Sequence, residues 1–169
     1  QEVVRRLTNL GFVVHTLDAM TCMLHHGGHL VALCIIHVDD MLLTASPRYD
    51  LEPLKKAFTW GSWTYHPEVI TYCGRQIYPV DEKTFRVNQS DFTEATAVNK
   101  VPRARRQTPE SPLTKEETTR FKSVIGSLQW LSGQTRPELA ADTSLLQHKD
   151  LKVNDLVEAY ATLDYARKT

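Results

Sequence analysis

Between Leu30 and Ile36 seven consecutive residues are apolar and mostly favour extended chain, and so short a run reads as a buried strand. After His37-Val38-Asp39-Asp40, the stretch Met41-Leu42-Leu43 reads as its return partner, which predicts a hairpin with two acids at its tip. Upstream, Val3, Val4, Leu7 and Leu10 recur at helical spacing and Gly11 supplies a stop, so the first ten residues predict the end of a helix packed on the sheet. A strand over Ala19 to Leu24, a turn at Gly27-Gly28, the strand to Val38 and the return at Met41 to Thr44 make a meander. Tyr49 to Phe58 predicts a short helix. Val69 to Tyr78 predicts a strand paired with Thr84 to Asn88 across a turn at Asp81-Glu82-Lys83, and Ser90 to Val98 a further short helix.

The pattern then changes. Lys100 to Thr114 holds three prolines, Arg103, Arg105 and Arg106, and no apolar period, so it reads as a linker. Thr114-Lys115-Glu116-Glu117 has the form of a capping box opening a helix whose Phe121, Val124, Leu128 and Leu131 make one stripe, with Gly133 at its end and Trp130 read as core. Thr135-Arg136-Pro137-Glu138 has the form of a second box, opening a helix to about Leu145. A third helix runs from about Asn154, with Leu156, Tyr160 and Leu163 inward. The expected class is α+β in three parts: 1–99 strand-rich, 100–114 a basic linker, 115–169 all helical.

Composition fits a globular chain able to bury a modest core, with 41% hydrophobic residues in 169. No apolar run approaches the roughly 20 residues a membrane helix needs, and no charged-then-apolar leader is present. Cys22, Cys34 and Cys73 lack paired spacing, which favours reduced thiols in an intracellular compartment. The chain opens on Gln1 rather than Met, which predicts an excerpt of a longer polyprotein or a decayed gene copy. Net charge is zero, but residues 1–99 carry 8 basic and 11 acidic side chains and the remainder 12 and 9, so a slight positive excess lies in the second half. That split suits a metal-bearing face followed by a phosphate-touching part, and is equally compatible with ordinary surface variation.

Asp39 and Asp40 admit two readings. Asp is a common turn residue because its side chain bonds nearby backbone and tolerates left-handed conformations. Alternatively, two hard oxygen ligands on a rigid two-strand support hold Mg²⁺ against nucleotide phosphates. His25, His26 and His29 straddle the diglycine turn without further ligand spacing and read as a solvated hairpin end. Ser123, Ser127 and Ser132 have no matching His and acid, so a serine hydrolase is not supported.

The order of these pieces resembles the reverse transcriptase of copia-type long-terminal-repeat retrotransposons. Leu10-Gly11-Phe12 with Asp18, the hairpin Leu33 to Leu43, Leu54 to Phe58, Tyr72-Cys73-Gly74-Arg75-Gln76-Ile77, Phe85 to Phe92, and Phe121 to Leu131 with Thr135-Arg136-Pro137-Glu138-Leu139 match six family segments in family order. The match departs from the family at His37, where Tyr is usual, and at Cys73, where Leu is usual. The family's upstream segments, including its first catalytic Asp, have no counterpart among these residues.

The resemblance implies a partial polymerase palm, an antiparallel sheet with the Asp-Asp hairpin and a strand leading to the primer grip, followed by an all-helical thumb or connection-like part. It implies RNA-directed DNA polymerase activity, with two-metal nucleotidyl transfer onto a primer 3′ end using Mg²⁺ or Mn²⁺. Asp39 would be the firmer ligand and Asp40 the secondary one. His37 would face the primer end, or be a strand residue without a role. Gly74 would let the primer backbone approach, with Arg75 near a phosphate, or mark a simple sheet bend. Arg103, Arg105 and Arg106 are candidate phosphate contacts, or a solvated linker. Implied partners are an RNA or DNA template with its primer, a deoxynucleoside triphosphate, and the rest of the Pol polyprotein, with upstream palm and fingers and downstream RNase H; no membrane is expected. The implied setting is the cytoplasm, in a virus-like particle, with nuclear entry of the parent element. The chain alone is expected to be inactive for want of the upstream Asp. The competing expectation is a relic or repurposed module that keeps this fold and binds nucleic acid without catalysis.

Overall fold

A computed structural model describes residues 2–81 and 83–169. Its class is mixed α and β with antiparallel sheets. The chain divides into two compact units, 1–85 and 86–169.

In the first unit, helix α1 (Glu2–Asn9) precedes a meander of β1 (Val13–Val14), β2 (Thr21–His26), β3 (His29–His37) and β4 (Asp40–Ala45), in that order across one sheet. Gly11, at φ 90, ends the helix in the left-handed conformation that a residue without Cβ adopts cheaply. The Gly27-Gly28 turn has both φ positive, 58 and 80, as a two-residue hairpin of matching twist requires. Alternation along β3 sends Ala32, Cys34 and Ile36 to one face, where they pack with Leu7, Phe12, Cys22 and Leu54. Leu54 comes from α2 (Glu52–Ala57), whose last carbonyl, on Ala57, accepts a 2.9 Å hydrogen bond from Arg6.

The strand expected to run unbroken from 69 to 78 is instead two. β5 (Ile70–Tyr72) and β6 (Arg75–Pro79) pair antiparallel through a turn at Cys73-Gly74. Both turn residues have positive φ, 50 and 69, so the glycine signals a chain reversal rather than a bend in a continuous strand. The Val80 amide donates to the Thr84 carbonyl at 2.9 Å, closing the connection towards β7 (Phe85–Asn88); of the expected turn at 81–83, Glu82 lies outside the described residues.

The second unit holds α3 (Ser90–Ala95), α4 (Arg103–Arg106), α5 (Lys115–Gln134), a short 3-10 turn at Pro137–Leu139, α6 (Ala140–Leu145) and α7 (Val153–Lys168). The capping box at Thr114 is formed: its side chain accepts from the Glu117 amide and Glu117 accepts from the Thr114 amide. Phe121, Val124, Ile125, Leu128 and Leu131 on α5 meet Val153, Leu156, Tyr160 and Leu163 on α7 in one core. Each fully buried Leu there is worth about 1.5–3 kcal/mol relative to exposure.

Three further expectations are corrected. Residues 100–114 do not join two units: Val101 is buried in the helical core, Arg103 to Arg106 are helical, and the Leu113 amide bonds the Leu151 carbonyl. Proline punctuation without apolar period here marks a folded strap, because tertiary partners rather than periodicity fix it. The second capping box does not form, since the Thr135 hydroxyl donates to Gln89 Oε1 at 2.9 Å and no side chain caps the turn at Pro137. Trp130, read as core, is 40% exposed because it stands just off the buried stripe of α5.

Arginines tie the ends of this unit. Arg136 donates to the Ala166 carbonyl at 2.7 Å, in the last turn of α7, and Arg167 donates to the carbonyls of Thr93, Glu94 and Thr96 at the end of α3. Helix C-termini leave carbonyls unsatisfied and carry partial negative charge, so a guanidinium there meets both needs.

Candidate functional site

The two acids sit where the sequence expects them. β3 and β4 pair from Ala32–Ala45 to His37–Asp40, leaving Val38 and Asp39 as a two-residue turn. Such turns take positive φ at the first position, normally with Gly. Here that position is Val38, at φ 53 with 77% of its surface exposed. A β-branched residue in this region is strained, and the strain persists only where the surrounding ladder over-determines it.

Asp39 and Asp40 are both exposed. His37 is also exposed and is the cross-strand partner of Asp40, which brings a ring and a carboxylate side by side at the mouth of the hairpin.

The β5–β6 hairpin belongs to the same unit and approaches from the β4 side. Its Tyr72 is buried, and the hydroxyl lies 3.5 Å from the Ile35 carbonyl, two residues before His37. Burial pushes the Tyr72 phenol up to about 12, helped by Cys73, Cys34 and the charge on Asp40. Tyr72 therefore stays protonated at neutral pH. Sequence reasoning gave it no role; the available signal was an aromatic with a polar tip just ahead of a Cys-Gly turn.

Gly74 and Arg75 lie on this second hairpin, one in the turn and one opening β6. Gly74 is exposed, and a Cβ built on it meets nothing within 4 Å, so its lack of side chain serves the φ of 69 and not a crowded site. Arg75 is half-buried and faces Tyr72 across the ladder.

Of the three basic candidates, Arg105 is committed elsewhere. Its guanidinium holds Glu117 through two bonds, 2.9 and 2.8 Å, and also donates to the Pro112 carbonyl at 3.0 Å. The Arg105 guanidinium, with the Thr114 amide, holds the Glu117 carboxyl down to about 2. Arg103 and Arg106 are exposed on the same short helix. All three belong to the second unit, whereas the acids belong to the first.

Among the described residues no group of three or more His, Cys, Asp or Glu converges as a metal-holding cluster. A pair of adjacent exposed carboxylates still suits Mg²⁺, which keeps several waters and is commonly held by one or two carboxylates together with substrate phosphates. A closed cage made by protein alone does not fit this pair. No helix among the described residues is long and apolar enough to cross a membrane. A scan against protein-family models, a search of curated proteins and a search of solved structures each found no match to this chain.

Proposed function

We propose that this chain carries the Asp-Asp hairpin of a nucleotidyl-transfer centre, as part of an RNA-directed DNA polymerase of the copia-type retrotransposon kind. The observation that supports it most is Val38 at φ 53: a hairpin that holds a β-branched residue in a glycine conformation presents Asp39 and Asp40 at a fixed, exposed tip. Strain of this sort clusters at functional sites.

Asp39 and Asp40 would hold Mg²⁺ or Mn²⁺, which when bound neutralises charge on the transferring phosphate and lowers the pKa of an attacking hydroxyl. The protein's own contribution is positioning. The β3–β4 ladder fixes the acids, Tyr72 on the neighbouring hairpin stays neutral and adds no third negative charge, and His37 stands beside Asp40 with an imidazole able to stack or donate. Arg75, which opens the second strand of the neighbouring hairpin, would contact a primer phosphate. Two-metal centres need carboxylates on both sides of ions about 3.5–4 Å apart, and one dyad cannot bridge them. A third carboxylate from the parent polyprotein completes the reading.

The test is primer extension on poly(rA) with oligo(dT), dTTP and Mg²⁺. The chain alone should give no product above background, while a polypeptide lengthened by the coding sequence upstream of Gln1 should extend the primer and lose that activity on Asp39→Asn. Synthesis by the chain alone, a silent lengthened form, or an active Asp39→Asn variant each overturns the proposal.

A further inference from the structure

Cys22 and Cys34 stand directly opposite each other on β2 and β3, both with no exposed surface and both on the core side of the sheet. The Ile36 amide donates to the Met20 carbonyl at 2.9 Å, so residues 20 and 36 form a hydrogen-bonded pair. Such pairs recur at every second position of an antiparallel ladder, which makes Cys22 and Cys34 a hydrogen-bonded pair too. Their Cα separation is then about 5.5 Å, inside the 4.4–6.8 Å that disulfides span. Opposite Cβ atoms in such pairs lie near the long end of about 4.5–5.5 Å, whereas a relaxed disulfide brings them to about 3.8 Å, so the strands must close by roughly 1.5 Å.

We infer that Cys22 and Cys34 form a reversible cross-strand disulfide, a redox-operated staple on the sheet that carries the Asp39-Asp40 hairpin. A low-molecular-weight disulfide such as oxidised glutathione is the oxidant. One cysteine thiolate attacks it, forming a mixed disulfide and releasing one glutathione thiolate, which takes up the proton lost by the cysteine. The second cysteine then displaces the remaining glutathione. Two thiols are oxidised, one disulfide is reduced, and two glutathione molecules leave.

Burial makes the reaction slow and conditional. It pushes the Cys34 thiol up to about 12, with Cys22 as the next contributor, and it pushes Cys22 up as well. Thiolate forms only when the β2–β3 hairpin opens locally, so the staple closes under sustained oxidation rather than on brief exposure. A bond that must draw two strands together is strained, and strained disulfides are the readily reduced ones. Cys73 is half-buried at its turn and lacks a cross-strand cysteine, so it ends as a mixed disulfide.

The experiment uses the full chain carrying Cys73→Ser, incubated without denaturant in excess oxidised glutathione. The expected product has lost 2 mass units, is resistant to alkylation at both thiols after denaturation, and yields a linked pair of peptides containing Cys22 and Cys34 on non-reducing chymotryptic digestion. It should unfold at higher urea than the reduced form and revert with dithiothreitol. Persistence of both thiols, mixed disulfides as end products, intermolecular links, or closure only in denaturant overturns the inference. Cys22→Ser and Cys34→Ser should each abolish the 2-unit loss; should either fail to fold, the result on the Cys73→Ser chain decides alone.

Discussion

Arg105 grips Glu117 across the segment that leads into α5, while Glu117 also receives the Thr114 amide at 2.9 Å, so one carboxylate closes both an ion pair and a helix cap. Its ordinary value of 4.5 falls to about 2 in the fold. A depressed carboxylate stabilises the folded state fully above its unfolded value, and that contribution disappears as pH falls from 4.5 towards 2. Glu117→Gln keeps an amide oxygen for the Thr114 amide but loses the ion pair to Arg105, so it should lower stability near pH 7 by about 1–2 kcal/mol, as expected for lost charge-assisted bonds, and should flatten the variant's stability profile in that acid window relative to the parent. Urea midpoints at pH 7, 4 and 3 for both proteins check this; parallel profiles would refute it.

Val38 is the strained residue of the hairpin turn, and little burial is lost by trimming it. Val38→Gly should raise stability by about 1 kcal/mol, the relief of a left-handed β-branched residue exceeding the entropic penalty of glycine. A lower urea midpoint for the variant would show that the turn is not strained in the manner argued.

Two glycines should respond oppositely to the same change. Gly74 has φ 69 and open space, so Gly74→Ala should cost about 1 kcal/mol through backbone conformation alone. Gly126 lies inside α5, also with nothing within 4 Å of a built Cβ, and Gly126→Ala should stabilise by about 0.8–1 kcal/mol through helix propensity. Equal signs in thermal unfolding would contradict the backbone account.

The basic strap separates structural from phosphate-directed charge. If Arg103 and Arg106 touch a nucleic-acid backbone, replacing both with Ala should reduce the magnitude of the salt slope of template-primer affinity by up to about 1.8, at about 0.9 per duplex contact. Arg105→Ala should instead destabilise the fold with little change in that slope, because its guanidinium is engaged with Glu117. Fluorescence anisotropy at several salt concentrations, alongside urea unfolding, distinguishes the two; a slope lowered most by Arg105→Ala would reverse the assignment.

Much of this fold could be read from local pattern. The β3–β4 hairpin, the diglycine turn, α1 with its glycine stop and the Thr114 box all emerged as expected, since each depends on neighbours within a few residues. What misled were places where distant partners decide. Thr135 has the letters of a cap, yet its hydroxyl goes to Gln89, 46 positions away. Cys73-Gly74 inside an apolar stretch looked like a strand interior because only the positive φ of both residues reveals the reversal. Residues 100–114 lacked periodicity and looked free, but Val101 and Arg105 anchor them. Placement of the acids was legible, whereas the approach of Tyr72 to the Ile35 carbonyl was not, because nothing local says where its hydroxyl ends.

The pairing of β2 with β3 slips by one residue between Leu24 and His25, so the outer end of that hairpin is out of phase with its base. Peptide tags or fluorophore-bearing loops grafted at Gly27-Gly28 would therefore enter beyond the slip, away from the paired base of the hairpin, whereas a graft at Val38-Asp39 would replace the turn that presents the acids. The diglycine tip is thus the natural handle for surface immobilisation or labelling of this molecule.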